Sequence, residues 1–94
     1  MTLREHIQNE LVHHIRQVDG IKRVGHAPGG HATIWGYKGY LGSLKVRSEI
    51  VRIRVSPWDA RSGDWMHDID LANPELIPRV IDIFRTVAGK QCKQ

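Results

Sequence analysis

Four cations alternate with apolar residues in LKVRSEIVRIRV, positions 44–55: Lys45, Arg47, Arg52 and Arg54, out of fourteen Lys and Arg in the chain. Ammonium and guanidinium groups clustered on one surface attract phosphate, because each contact releases a counterion condensed on a polyanion. Farther along, Trp58 and Arg61 stand close together in SPWDARSGD. An arginine beside an indole on an exposed loop can stack on an unpaired base or anchor a protein interface. Lys45, Arg47, Arg52, Arg54, Trp58 and Arg61 are therefore the candidate binding set, with backbone contact assigned to the cations and stacking to Trp58.

The cations act together only if the backbone puts them on one face. Leu44 and Val46 are apolar on even positions, whereas Val51, Ile53 and Val55 are apolar on odd ones, so one straight strand would turn its second half inside out. A tight turn at Ser48 and Glu49 sets position 46 against 51 and 44 against 53, which gathers the apolar residues on one face and the four cations on the other. A β-bulge near the same point also resets the parity. If a strand at 65–71 pairs beside 51–55, Asp68 and Asp70 share the cationic face and are expected to neutralise Arg52 and Arg54 as cross-strand ion pairs.

The flanking elements follow from periodicity. Thr2 with Glu5 makes a capping-box pattern, and Leu3, Ile7, Leu11, Ile15 and Val18 recur at helical steps, so a helix is expected over 3–18, ending at Asp19 and Gly20. The glycine-rich text from 25 to 42 suits a short strand at 32–37 and a turn at Lys38 and Gly39. That turn opposes Tyr37 to Tyr40 and Trp35 to Gly42, placing both tyrosines and Trp35 on the core face with Leu44 and Val46. Residues 56–64 read as a loop, and Trp65, His67, Ile69 and Leu71 alternate with polar residues as a half-buried strand. The last helix starts at Pro74 or Pro78, carries the stripe Ile77, Val80, Ile81, Phe84, Val87 and Ala88, and stops at Gly89. The expected fold is α+β: an N-terminal helix, a three- to four-stranded antiparallel meander and a C-terminal helix, with both helices on one sheet face. One domain over 1–89 and a frayed polar tail at 90–94 complete it.

Composition narrows the function classes. The charge of +4 makes an anionic partner, DNA or RNA, reasonable, and 94 residues is small enough that self-association as a homodimer is a further expectation. The charged start MTLREHIQNEL and the lack of an apolar run near the ~18–20 residues of a membrane span point to neither secretion nor membrane insertion, and the cytoplasm is the default. The single cysteine, Cys92, agrees with a reducing compartment and removes thiolate metal clusters. Of the six histidines, His6 with Glu10 and His13 or His14 recur at helical turns, but no further cluster of acids or cysteines supports a metal, and no metal or cofactor is expected. His26 and His31 flank APGG, yet no nucleotide-binding glycine pattern is present.

Gly30, His31, Ala32, Thr33 and Ile34, with Arg23 upstream, form a stretch that resembles the HicA-type toxin ribonucleases, small basic α+β domains with a histidine after glycine at a strand start. The resemblance implies that His31 acts as general base toward an RNA 2′-OH. The chain departs from that family in lacking a second adjacent histidine and in its longer first helix. The order of elements is also similar to the double-stranded RNA-binding domain, without the Lys-rich start of its second helix, since NPELIPR stands there. The run from 51 to 84 resembles the end of the positive-cofactor-four single-strand binders, without their basic segment. The leading expectation is a non-enzymatic binding protein that contacts nucleic acid through the sheet face and the Trp/Arg loop. The alternatives are a protein-interaction or inhibitor module of phage or plasmid type, and a small ribonuclease using His31.

Overall fold

The structure, a computed structural model, describes residues 2–27, 29–55 and 65–92. Helix α1 spans Leu3–Ile15. Its start is a capping box, in which the Thr2 hydroxyl accepts the Glu5 N–H at 3.2 Å and the Glu5 carboxylate accepts the Thr2 N–H at 3.3 Å. The helix closes before Val18, because the N–H groups of Gln17 and Val18 bond the carbonyls of His14 and Ile15 in tighter turns. Val18 is still buried, from the turn rather than from the helix.

A five-stranded antiparallel sheet follows in simple meander order: β1 Ile21–Ala27, β2 His31–Gly36, β3 Gly39–Val46, β4 Ile50–Val55 and β5 Trp65–Asp70. The α+β expectation holds, with five strands in place of three or four. The added strand is β1, IKRVGHA, an edge strand paired only with β2 and therefore free of the alternation that a half-buried central strand needs. The parity break at 44–55 is a turn: Val46 pairs with Val51, Leu44 with Ile53, and the Arg47 N–H donates to the Ile50 carbonyl at 2.8 Å.

The β2–β3 hairpin corrects a second expectation. Its turn is Tyr37 and Lys38, one residue earlier than expected, with Gly36 opposite Gly39. Gly39 takes φ +127, a conformation that side chains rarely adopt. Trp35 then pairs with Tyr40 while Ile34 pairs with Gly42, so Leu41 is an extra residue on β3, a β-bulge. The bulge reverses parity. Trp35 and Tyr40 lie on the face away from the helices, Leu41 is buried, and Tyr37 in the turn is 71% exposed. Gly42 sits where a Cβ would overlap the Arg54 carbonyl oxygen of the neighbouring strand, so the pinch beside the bulge requires glycine.

Both helices cover the other face. Leu11, Val12 and Ile15 of α1 and Val80, Phe84 and Ala88 of the last helix meet Ile34, Leu44, Val51 and Ile53 in one core. Complete burial of a side chain such as Phe84 contributes about 1.5–3 kcal/mol. Helix α2 spans Leu76–Cys92. Pro74 belongs to the preceding turn, where the Asn73 side chain accepts the Glu75 N–H at 2.8 Å. Pro78 is the third helical residue, among the first four positions whose N–H groups have no partner within a helix. The helix runs on through Gly89, so residues 90–92 are helical rather than a frayed tail. Gln91, 2% exposed, accepts the Lys38 N–H at 3.2 Å and donates to the Gly39 carbonyl at 3.1 Å, tying the last turn to the hairpin. Gln8 of α1 does the same at the opposite end of β2 and β3. It donates to the Gly30 carbonyl at 2.8 Å and accepts the Val46 N–H at 3.1 Å, so its amide extends the ladder like an extra peptide group. Among the described residues, no helix is long and apolar enough to cross a membrane.

Candidate functional site

Strand register arranges the open face in rows. One row runs His31, Lys45, Arg52, Asp68 across β2 to β5, since Ala32 pairs with Leu44, Lys45 with Arg52 and Arg52 with Asp68. The next runs Thr33, Ser43, Arg54, Met66. Successive rows lie about 7 Å apart along the strands. His31, Lys45, Arg47, Arg52, Arg54, Ser43 and Met66 together line a shallow concavity of about 130 Å³. The four expected cations of the sheet thus share one surface, and His31 joins them.

Arg52 and Asp68 form an ion pair on this face, Nε to Oδ1 at 3.0 Å and Nη2 to Oδ2 at 3.2 Å. The Arg52 hydrogen bond holds the Asp68 carboxyl below its ordinary pKa; desolvation opposes this, while the charges of Arg52 and Arg47 add to it. Arg52 is raised by the same hydrogen bond and by the Asp68 charge. Both side chains are about half exposed, so the pair orients the groups and adds little stability.

The pairing expected between Asp70 and Arg54 does not form. Register opposes Asp70 to Ile50 and Arg54 to Met66, and the Asp70 carboxylate instead accepts the Ala72 N–H at 2.8 Å. Arg54 points its Nη2 toward the Met66 sulfur, a weak acceptor, at 3.9 Å. Among the described residues, Lys45, Arg47 and Arg54 make no ion pair. Trp58 and Arg61 lie outside the described residues.

A third row holds Arg23, Trp35 and Tyr40, so the two rings expected on the core face stand instead on the open face beside the arginine of the ribonuclease-like stretch. The Arg23 guanidinium carbon lies 4.9 Å from the Trp35 ring centroid, and the Trp35 and Tyr40 rings meet edge to face at 5.4 Å. Both rings are half-buried. The available signal was Gly42 inside a strand pattern, a common mark of a bulge. Among the described residues, no three His, Cys, Asp or Glu side chains come together in a metal-holding group.

Compared with known proteins, the chain matches no protein-family model, no curated protein and no solved structure.

Proposed function

We propose that the protein is a small non-enzymatic binding protein that takes nucleic acid on the open sheet face, with Lys45, Arg47 and Arg54 on the phosphate backbone and Arg52 shared with Asp68. The supporting observation is the convergence of these cations on one concavity where, among the described residues, a single carboxylate pairs with one of them. The local excess of positive charge matches a polyanion, and the net charge of +4 favours its approach. Trp58 and Arg61 belong to the proposed contact set on sequence grounds alone.

Fluorescence anisotropy with labelled DNA and RNA over a range of salt tests the reading. Three phosphate contacts give a slope of log K against log salt of about −2 on a single strand and about −3 on a duplex. No binding of either nucleic acid near physiological ionic strength overturns the proposal. It leaves a protein partner, toward which the same cations and Asp68 would act as rim charges.

The position of His31 on the same concavity favours one second reading, RNA cleavage with the imidazole as base toward a 2′-hydroxyl and the cations holding the phosphate. Cleavage abolished by His31→Ala in a folded protein would replace the first reading. RNA left intact after long incubation with the wild-type protein removes the second.

A further inference from the structure

The bulge at Leu41 brings two aromatic rings to the same face as the cations rather than into the core, where the indole N–H and the tyrosine hydroxyl would each need a partner. Trp35 and Tyr40 lie on β2 and β3, two of the strands that supply the concavity, and Trp35 is two residues from Thr33, about 7 Å along the strand. That step is comparable with the reach from a phosphate to its base in an extended strand. Arg23 lays a planar guanidinium over the indole, and the exposed Tyr37 ring stands at the same end of the sheet.

From this arrangement we infer that the open face takes a single-stranded nucleic acid, with phosphates on Lys45, Arg47 and Arg54 and an unpaired base stacked at Arg23, Trp35 and Tyr40. The inference rests on the nucleic-acid reading given above and adds the state of the ligand. Cations alone do not distinguish a single strand from a duplex, since both present phosphates. Aromatic rings and a stacked guanidinium do, because a base offers its ring face only when it has left the duplex stack. An incoming ring either stacks on the Arg23 guanidinium or takes its place on the indole, and both are favourable for any base, since every base has a π-face. The site therefore selects unpaired over paired strands with weak preference among bases.

Anisotropy titrations at fixed salt test it with fluorescein-labelled DNA and RNA single strands of about ten nucleotides, within the usual site size of one such surface. The same strands annealed to their complements, and DNA strands in which abasic sites replace the nucleosides, complete the set. The single strands are expected to bind more tightly than the duplexes, and the abasic strand about tenfold more weakly than the intact one. Trp35→Leu, its fold checked by circular dichroism, should lose the same factor on the intact strand and nothing on the abasic strand. Equal affinity for duplex and single strand, or for intact and abasic strand, overturns the inference and leaves backbone binding standing. No affinity for any of these strands overturns both. The abasic comparison uses the wild-type protein, so the test survives if the variant does not fold.

Discussion

Arg52 and Asp68 meet across β4 and β5 through two hydrogen bonds, 3.0 Å from Nε and 3.2 Å from Nη2, and so the central cation of the open face is bound to the face's own acid. Asp68 then competes with any phosphate for Arg52. Asp68→Asn removes that competitor and one negative charge. It is expected to tighten polyanion binding several-fold and to steepen the salt slope by about one unit. Arg54→Ala should act in the opposite sense, weakening binding to all sequences alike and reducing the slope by about one unit. Titrations of both variants over a range of salt check the pair of outcomes.

The same pair has a pH signature. The folded-state pKa of Asp68 is depressed below that of an unfolded aspartate, about 3.9. Its contribution is therefore present above the unfolded value and lost as pH falls through the folded one. Carboxyl chemical shifts should show Asp68 titrating below the ordinary aspartate range, and Arg52→Ala should move it upward. An unchanged Asp68 titration in that variant would contradict the assignment of the hydrogen bond as its main cause.

Gln91 is the buried polar side chain that joins α2 to the β2–β3 turn. Gln91→Ala removes the acceptor of the Lys38 N–H and the donor to the Gly39 carbonyl in a site largely closed to water. The expected loss is about 2–3 kcal/mol in urea unfolding, with faster hydrogen exchange at the Lys38 amide.

Gly42→Ala tests the bulge. The new methyl group would meet the Arg54 backbone, which cannot swing aside as a side chain can. A destabilisation of about 3 kcal/mol, at the upper end for overpacking, is expected in thermal or urea unfolding.

Parity and register were unequally legible in the sequence. A break near Ser48 and Glu49 is visible because the apolar positions change from even to odd there, and either a turn or a bulge then sets Lys45, Arg47, Arg52 and Arg54 on one face; the structure has the turn. Parity fixes a face but not a row, which is why Asp68 reaches Arg52 while Asp70 misses Arg54. The facing of Trp35 and Tyr40 was hidden because one unpaired residue, Leu41, reverses the count, with Gly42 as its local trace. Strand β1 escaped because an edge strand of mixed polar and apolar residues has no clean period. The helix beyond Gly89 depends on Gln91 reaching Lys38 and Gly39, and local signals carry no record of so distant a partner.

The reach of the two glutamines also bears on how the chain folds. Each strand of the meander pairs with its neighbour in sequence, whereas Gln8 meets Val46 across 38 residues and Gln91 meets Lys38 across 53. Closing long loops costs more entropy than closing short ones, so the expected order is hairpins first, with the glutamine bonds formed on a sheet that already exists. Interactions made after the folding barrier govern the rate of opening rather than the rate of formation. Gln8→Ala is accordingly expected to refold at the wild-type rate in stopped-flow experiments and to unfold faster. On that outcome the glutamines are latches, which set how long the native protein lasts and not how quickly it appears.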